Sequence, residues 1–394
     1  MKLLLSSDSY VYFYNGKYYG SNGGSEGFFK RYLRIFESMR LVARTKQVYT
    51  MPNDGYDELD SERIEVWPFP FFQGPKEYAK VYLKGKKCLK NVTSDCDAAI
   101  LRIPSTTAYQ VMGEVIKSKM PFCIEVVIDP YDSLLSSNGL LNKFYYRSWY
   151  NDLLKACKYA DGVSCVTSQY LQKRYFPAKN DAFTSNYSSI ALPIGMYSSA
   201  RQFPQKDEFV IAHVAGQVKF EGRKGHKELI DAVAMANNKG YNTRIVFVGG
   251  DYMNGIKKLS DYANNIGVLD KIEFAGYLKT KKEVLEQLSK ADIFVMPTKA
   301  EGLPRSIIEA MSQGLPCITT NVSGNPELIQ SEFLIDDFYD TNILAEKIIA
   351  LVSNKELYES ASKYNFENSK NYEESVLQAR RDEFYNNLKK RIRL

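Results

Sequence analysis

The sequence predicts an α/β protein made of two doubly wound domains with parallel sheets. Short apolar runs of strand length alternate with segments of helical periodicity along the whole chain, as in parallel sheets joined by helices. The length of 394 residues suggests about two to three domains. A polar, Pro/Ser/Asn-rich stretch between Pro177 and Gln205 has the composition of a linker. We therefore expect domains over about 1–200 and 201–372, and a charged terminal helix over about 373–394.

In the first half, the strand Lys2–Ser6 is followed by a glycine-rich loop and then by a helix from about Phe28 to Leu41. A weaker pattern predicts a strand at Lys46–Thr50. Further strands are predicted at Ala98–Arg102, Phe122–Ile128 and Gly162–Val166. This half has the same alternation as the second half, with less regularity.

In the second half, the alternation of strands and helices is regular. One helix is predicted from near Lys224 to Asn238, with Gly240 as its stop, and another over Lys282–Lys290. Strands are predicted at Phe209–Ala215, Thr243–Gly249, Lys271–Ala275, Asp292–Pro297 and Pro316–Thr320. The pattern indicates a doubly wound domain.

Composition excludes several classes of protein. The six cysteines are scattered without a CxxC pair, so we expect reduced, buried thiols in a cytosolic protein. Two histidines make a histidine zinc site a poor expectation, and we predict no metal. No apolar run reaches the ~20 residues of a membrane span. The net charge of +6 suits an anionic nucleotide or an anionic membrane surface and does not by itself indicate nucleic acid.

The segment from Asp292 to Thr320 carries the most functional information. It predicts a strand, a Gly-Pro loop, a short helix, a glycine stop and a second strand. Free backbone N–H groups of Gly302 to Ser306, at the helix start, would form an anion site. Glu301 lies in the loop, and Glu309 follows about two helical turns later. Carboxylates repel phosphate, so we expect Glu301 and Glu309 to accept hydrogen bonds from hydroxyls. A sugar nucleotide carries phosphates and hydroxyls together.

This segment resembles the glutamate pair of the retaining glycosyltransferases of family 4, the group 1 glycosyl transferases, which have the GT-B fold. Flanking motifs occur in that family's order: His213-Val-Ala-Gly216-Gln217, Arg223-Lys224-Gly225, Phe247-Val-Gly249-Gly250, Phe274-Ala-Gly276-Tyr277-Leu278 and Gly324-Asn-Pro-Glu327. The similarity is strong over 209–352 and weaker before it. It implies two Rossmann-like domains facing a central cleft, with the acceptor on the first and the nucleotide sugar on the second.

The resemblance also implies roles for individual residues. Glu309 holds the donor ribose hydroxyls, Glu301 contacts the transferred sugar, and Lys224 neutralises the donor diphosphate in place of a divalent metal. The remaining donor contacts are expected from Gly302, Leu303 and Pro304 at the diphosphate and from Gly276, Tyr277 and Leu278 at the nucleobase.

The chain departs from the family pattern after the first strand of the second half. An arginine commonly follows the glycine at this point, but here Gln217 follows Gly216. We expect Arg223 or Lys219 to supply the second cation for the phosphates.

Candidates in the first half concern the acceptor. Gly23, Gly24 and Glu26 form a loop before a helix, which suits close approach to a phosphate or sugar but is also a common turn composition. Asp129 takes the place of a family histidine and either acts on the acceptor hydroxyl or forms an Asx turn before proline. Arg102 ends a strand and either contacts the acceptor or forms a surface ion pair.

Aromatic and basic residues occur together in three stretches of the first half, Val66–Phe72, Lys76–Lys90 and Phe144–Tyr150. They either pack in the core or place the first domain on an anionic membrane. We expect a cytoplasmic protein with peripheral contact to the inner face of the membrane and no nucleic-acid partner.

The resemblance implies sugar transfer to a hydroxyl of a glycan or lipid-linked acceptor, with retention at the anomeric carbon and no metal. No cofactor is expected besides the donor, with a UDP-sugar as the first expectation, and bacterial surface polysaccharide synthesis is the expected setting. A dinucleotide oxidoreductase would need a GxGxxG motif, which neither Gly20–Gly27 nor Gly249-Gly250 provides. A non-catalytic GT-B binding partner is the remaining alternative, although Glu301, Glu309 and Lys224 are all present.

Overall fold

The structure is a computed structural model that describes residues 1–20, 25–50, 56–135 and 139–392. Gly23 and Gly24 lie outside the described residues, as does the side chain of Glu26, so their predicted acceptor role stays a prediction. Contacts divide the chain into two compact units. Unit 1 comprises Met1–Tyr187 with Gln378–Leu394, and unit 2 comprises Ser188–Leu377.

Unit 1 is a doubly wound α/β unit. Its strands are β1 (Lys2–Tyr14), β2 (Lys17–Gly20), β3 (Ser38–Gln47), β4 (Asp57–Glu58), β5 (Ile64–Pro70), β6 (Ala98–Ile103), β7 (Phe122–Val126), β8 (Gly162–Cys165) and β9 (Phe183–Asn186). Its helices are α1 (Glu26–Leu33), α2 (Gly74–Cys88), α3 (Thr106–Ser118), α4 (Pro130–Leu135) and α5 (Leu140–Tyr159). The parallel strands lie in the order β5-β3-β1-β6-β7-β8-β9. Apolar residues of the inner strands β1, β3, β6 and β7 are fully buried, as strands covered on both faces require, whereas most of the outer strands β5 and β9 is half-buried or exposed.

Two predictions for the first half are wrong at their boundaries. The helix predicted to Leu41 ends at Leu33, and Ser38–Gln47 forms strand β3, which replaces the strand predicted at Lys46–Thr50. Met39 and the run Leu41–Ala43 are buried where β3 pairs with β1. A continuous apolar run suits a buried strand and a buried helix equally, so periodicity did not separate them.

Strand β1 extends beyond the predicted Ser6 to Tyr14 and turns into the antiparallel strand β2. The two-residue turn is Asn15-Gly16, and both residues have positive φ, 46° and 79°. Asn-Gly is the sequence that such tight hairpin turns prefer, because both positions need the left-handed region.

Unit 2 contains six parallel strands among its described residues: β10 (Phe209–Val218), β11 (Thr243–Asp251), β12 (Ile272–Gly276), β13 (Ile293–Met296), β14 (Cys317–Thr320) and β15 (Leu334–Ile335). The helices are α6 (His226–Asn238), α7 (Gly255–Asn265), α8 (Lys281–Ser289), α9 (Arg305–Ser312), α10 (Thr341–Ser353) and α11 (Lys355–Ser369), and the final helix α12 (Glu374–Arg391) joins unit 1 from Gln378 onward. The predicted strands and helices of this half are present with end shifts of a few residues.

The strand order in unit 2 is β12-β11-β10-β13-β14-β15. Successive connections run outward in one direction from β10 and then in the other from β13, so the order reverses between these two strands. In doubly wound sheets, ligands bind in the crevice beyond the carboxyl ends of the strands at such a reversal. The fold therefore predicts that a ligand contacts the residues that follow Val218 and Met296.

Two further observations concern the whole chain. All six cysteines are free thiols, and four of them are buried. Among the residues that the structure describes, no helix is long and apolar enough to span a membrane.

Candidate donor-binding site

A cavity of about 380 Å³ lies where strand β10 ends. Gly216 and Gln217 are exposed at its edge, and the loop that follows contributes three cationic side chains, from Lys219, Arg223 and Lys224. The structure thus brings together four residues predicted to bind the donor, Gly216, Gln217, Arg223 and Lys224. Their combined charge suits an anion.

The loop that carries Lys224 is fixed against the loop after β13. The Lys299 N–H donates to the Arg223 carbonyl at 2.9 Å, and the Arg223 guanidinium donates to the Ala300 carbonyl at 3.1 Å. The Lys224 carbonyl lies 2.7 Å from Nε2 of buried His213 on β10. These bonds join the two sides of the strand-order reversal.

Gly225 allows the two loops to approach this closely. Its φ is +64°, and a β-carbon there would lie 2.6 Å from the Pro297 carbonyl oxygen. An L side chain would be strained in this conformation and would also overlap the backbone. Helix α6 begins directly after Gly225.

Lys224 and Glu301 form an ion pair at the centre of the site. Their side chains are 20% and 10% exposed. Burial lowers the pKa of Lys224, and the carboxylate of Glu301 opposes this effect. The Thr298 hydroxyl donates to Glu301 at 3.3 Å, and the Glu301 N–H donates to the Ser323 hydroxyl at 3.4 Å. The sequence did not single out Thr298 or Ser323, although both hold Glu301 in place.

Glu309 lies on helix α9 and has a different cation. The Lys281 ammonium, at the start of helix α8, lies 3.8 Å from the Glu309 carboxylate and also donates to the Ala191 carbonyl. Burial raises the pKa of Glu309, and Lys281 counteracts this. Sequence reasoning missed Lys281. The Thr280-Lys281-Lys282-Glu283 capping box is the signal that would have placed it in the first turn of a helix.

The start of helix α9 is more enclosed than the sequence suggested. Gly302, Leu303 and Pro304 are buried, and Arg305 is the exposed residue of the first turn. The Gly302 carbonyl accepts a hydrogen bond from the Gly324 N–H at 3.1 Å. The contact of Gly302, Leu303 and Pro304 with the donor diphosphate stays a prediction.

The predicted base-binding loop borders Gly216. Gly276 ends strand β12 with a φ of +74°, and the following Tyr277 is 59% exposed. A β-carbon at Gly250 would lie 3.7 Å from both the Gly216 carbonyl oxygen and the Tyr277 β-carbon. Gly250 therefore lets the Tyr277 loop and the end of β10 lie side by side. Leu278 is half-buried next to it.

Residues 199–368 match the family model described as glycosyl transferases, group 1. This segment is a glycosyltransferase domain. It includes every residue predicted for the donor, from Gly216 to Glu309, and the predicted enzyme class is confirmed.

Curated relatives match the chain over different lengths. The chain is 25% identical over 397 residues to Protein CapJ of Staphylococcus aureus, covering 100% of this chain and 97% of that protein. It is 29% identical over 233 residues to the Vi polysaccharide biosynthesis protein VipC/TviE of Salmonella typhi, covering 54% of this chain and 39% of that protein.

Among solved structures, Alr3699/HepE of Anabaena, in complex with UDP and glucose, is similar with a TM-score of 0.66 and 15% identity. The match covers 96% of this chain and 97% of that chain. The glycosyltransferase therefore has the GT-B fold, as the sequence predicted.

In unit 1 of the glycosyltransferase, Asp129 is fully buried and engaged by several partners. It accepts hydrogen bonds from the Tyr131 N–H at 2.8 Å and from the Tyr175 hydroxyl, and it pairs with Arg174. Burial raises its pKa, partly offset by the Tyr175 hydroxyl. The alternative prediction of an Asx turn is confirmed. Both carboxylate oxygens already have partners, and the predicted action of Asp129 on the acceptor hydroxyl stays a prediction.

Arg102 also has an internal partner. Its guanidinium pairs with Glu125 on the neighbouring strand and donates to the Tyr32 hydroxyl at 3.2 Å. Glu125 is 3% exposed, so the alternative of a surface ion pair is wrong. The Tyr187 and Tyr385 hydroxyls also donate to Glu125, at 3.0 and 2.7 Å. Burial alone would raise the pKa of Glu125. Arg102 and these hydroxyls lower that pKa by more than burial raises it, so the net shift is downward.

Metal-ligating side chains do not converge within the described part of the chain, where no group of three or more His, Cys, Asp or Glu residues could hold an ion. His213 and His226 are buried and stacked, with ring centroids 4.5 Å apart. Burial lowers the pKa of His226 to about 4 and that of His213 well below its usual range. Both rings are therefore neutral near pH 7 and pack within unit 2.

Proposed function

We propose that this enzyme is a retaining, metal-independent glycosyltransferase of family 4. It transfers a sugar from a nucleoside-diphosphate sugar, with UDP as the preferred nucleotide, to a hydroxyl of a glycan or lipid-linked acceptor. The observation that carries the proposal is the cationic cavity after β10, where Lys224 adjoins Glu301. This cavity lies at the strand-order reversal, where doubly wound sheets bind ligands.

The cavity supplies the charge that a departing diphosphate needs. Lys224 and Arg223 provide two cations within one loop, and Lys219 provides a third. Positive groups fixed where negative charge develops lower the barrier more than mobile water does, because they need no reorganisation. Burial lowers the pKa of Lys224, and a bound diphosphate would favour its charged form as Glu301 does in the structure.

The two glutamates account for the hydroxyls of the donor. Glu301 is positioned by Thr298 and Ser323 beside the cation that would hold the phosphates, so its second carboxylate oxygen is suited to a sugar hydroxyl. Glu309 is held by Lys281 on the following helix and is assigned to the ribose. Each hydrogen bond between a carboxylate and a hydroxyl contributes about 1.5–3 kcal/mol.

The proposed reaction forms one bond and breaks one bond on the same face of the donor sugar. The acceptor oxygen bonds to the anomeric carbon as the bond from that carbon to the diphosphate oxygen breaks. The acceptor proton passes to the departing diphosphate, and Lys224 stabilises the remaining negative charge. No enzyme nucleophile takes part, and the configuration at the anomeric carbon is retained.

Polysaccharide synthesis is the proposed setting. The relative VipC/TviE is named for Vi polysaccharide biosynthesis, and HepE was solved with UDP and glucose. These names support a nucleotide-sugar donor and a glycan product for the present enzyme. A lipid-linked acceptor would bring the enzyme to the inner face of the membrane, where we propose peripheral contact.

The test is calorimetric and thermal-shift binding of UDP, GDP, ADP and TDP, each with and without EDTA. We expect saturable binding of one nucleotide, UDP first, with an affinity that EDTA does not change. Lys224→Ala should weaken this binding, whereas Lys239→Ala, at an exposed lysine after α6, should not.

Three outcomes would contradict the proposal. Loss of binding with EDTA would show that a metal carries the phosphates. If Lys224→Ala and the wild type bound the nucleotide with equal affinity, Lys224 would not be the cation that holds the diphosphate. No binding of any nucleotide would favour the non-catalytic alternative.

A further inference from the structure

The outward side of helix α2 carries a dense band of positive charge. Six lysines and one glutamate lie between Gly74 and Lys90, in a chain whose net charge is +6. All six lysines are exposed: Lys76, Lys80, Lys84, Lys86, Lys87 and Lys90. Glu77 accepts a hydrogen bond from the Gln73 N–H at 2.6 Å, so it serves the start of the helix. This segment therefore holds most of the excess charge of the chain.

The lysines surround an exposed apolar residue. Leu83 is 77% exposed, and Lys80, Lys86 and Lys87 lie three or four positions from it, on the same face of the helix. Gly85 lies on the opposite side, where a β-carbon would be 2.5 Å from the Phe69 ring. Close packing of that side against β5 turns the lysines and Leu83 toward solvent.

The positive charge of this band is not neutralised within the described parts of the chain. Among the residues that the structure describes, no ion pair or hydrogen bond engages the ammonium groups of Lys76, Lys80, Lys84, Lys87 and Lys90. The Lys86 ammonium lies 4.8 Å from the centre of the Tyr82 ring. An anionic partner is therefore the complement that this surface lacks.

Helix α5 presents a second surface of the same kind. Leu140 and Phe144 are 87% and 81% exposed, and the exposed Lys143 and Arg147 lie beside them at one-turn spacing.

Helix α3 contacts both helices, so all three cover the same face of the sheet. Gln110 of α3 donates to the Tyr78 hydroxyl of α2 at 2.6 Å, and the Tyr109 hydroxyl donates to the Trp149 carbonyl of α5 at 3.0 Å.

We propose that this face of unit 1, formed by α2 and the first half of α5, docks on the surface of an anionic lipid bilayer. Lysines attract the headgroups, while exposed leucine and phenylalanine side chains enter the boundary of the acyl chains. A nucleic acid would match the charge but would leave Leu83, Leu140 and Phe144 without a partner. The lipid bilayer is a further partner of the enzyme. Only the link between this surface and a lipid-linked acceptor rests on the proposed function.

The test is co-sedimentation with vesicles of phosphatidylcholine, with or without phosphatidylglycerol, at low and high salt. Binding is expected only to the phosphatidylglycerol vesicles and is reduced at high salt. The triple variant Lys76→Gln, Lys80→Gln, Lys87→Gln should bind on the order of 100-fold more weakly, because each lysine contributes about fivefold near an anionic surface.

A matched triple variant removes the same charge elsewhere. Lys239→Gln, Lys290→Gln and Lys363→Gln replace exposed lysines of unit 2 and should leave vesicle binding unchanged. Wild-type binding by the α2 variant, equal losses in both variants, or no binding of the wild type to phosphatidylglycerol would each overturn the proposal.

A separate substitution distinguishes a bilayer from a soluble polyanion. Leu83→Ser should weaken vesicle binding and leave retention on heparin unchanged. If heparin retention depends on the α2 lysines while vesicles are not bound, the partner is an acidic polymer and the proposal fails. Nucleotide-induced thermal shifts, measured on the same variants, report the donor site separately. Failure of nucleotide binding would therefore not be confused with failure of membrane binding.

Discussion

The ammonium group of Lys281 lies 3.8 Å from a carboxylate oxygen of Glu309, and the two residues belong to successive helices, α8 and α9. The Glu309 side chain is only 14% exposed, and this burial raises its pKa. Lys281 acts in the opposite direction and is itself held by the Ala191 carbonyl. Lys281 therefore opposes the effect of burial on Glu309 and orients its carboxylate before a ligand arrives.

Replacing Lys281 by methionine should weaken UDP binding about tenfold or more, since one charge-assisted contact contributes about 1.5–3 kcal/mol. The loss should be larger at low pH, because without Lys281 the pKa of Glu309 rises further and its carboxylate is protonated more readily. Calorimetry at two pH values measures both effects. Lys282→Met is the control, since that exposed side chain pairs with Glu286 instead. Equal affinities of Lys281→Met and wild type would contradict the role of Lys281.

Glu309→Ala should abolish sugar transfer and leave the fold intact. The ribose would lose its carboxylate partner, while the substitution removes a buried charge whose pKa is already raised by burial. Initial rates with the donor identified by binding, together with the melting temperature, give the two readouts. Glu286→Ala, at an exposed position of α8, should keep full activity. Full activity in Glu309→Ala would show that the donor-site assignment is wrong.

Lys224→Met should reduce kcat/KM by about 10²–10³-fold, as expected for loss of a group that stabilises developing charge. It should also lower the free energy of unfolding by about 2 kcal/mol, because the enclosed carboxylate of Glu301 loses its cation. Adding Glu301→Gln should restore most of the stability without restoring activity. Urea unfolding and initial rates of the two single variants and the double variant measure the coupling. Additive losses of stability would argue against the ion pair.

Gly225→Ala should destabilise unit 2 by about 3 kcal/mol or more, since the left-handed backbone and a 2.6 Å approach to the Pro297 carbonyl both disfavour a side chain. Gly240, beyond the other end of the same helix, also has positive φ but has no atom within 4 Å of a β-carbon. Gly240→Ala should therefore cost only about 1 kcal/mol. Chemical unfolding of the two variants checks the difference, and similar losses would contradict it.

The stability of unit 2 should fall as the pH is lowered from about 6.5 to about 4. An unfolded chain protonates His226 near pH 6.5, whereas burial keeps the folded-state pKa at about 4. Between these values the unfolded state binds more protons, so His226 alone lowers the free energy of unfolding by about 3 kcal/mol, and its full contribution is present above pH 6.5. His213, whose pKa is also lowered by burial, steepens the same part of the profile. His226→Phe keeps an aromatic ring and should flatten this part of the profile. An unchanged profile would show that other groups dominate.

The elements that carry the candidate donor site could be predicted because its residues fall in one repeating unit of strand, loop and helix. Glu301 and Glu309 follow a single strand, and the glycine-rich motif before α6 follows another, so their positions in a doubly wound sheet come from local pattern alone. What local pattern does not specify is which side chains touch. The ion pair of Lys224 with Glu301 depends on β10 and β13 being neighbours in the sheet, and such pairing is a property of the whole fold.

Unit 1 was harder to predict because its polar groups find distant partners. Arg102 was considered for the acceptor or the surface, but Glu125, 23 positions later, binds it in the interior. Asp129 was considered as a base, and it is surrounded by Arg174 and Tyr175. A charged residue at the end of a strand has the same sequence pattern whether it faces a ligand or a buried counter-ion. Only the packing of the helices around the sheet decides between the two.

The hydroxyl bond from Tyr385 to Glu125 has a consequence for the order in which the enzyme matures on the ribosome. Tyr385 is fully buried and comes from the last helix, 260 positions after its partner. Most of unit 1 is synthesised first, yet it lacks this hydroxyl and the packing of Phe384 and Leu388 until helix α12 has been translated. Until then the carboxylate of Glu125 is incompletely covered, so a truncation that removes Tyr385 should impair packing around Glu125 in unit 1.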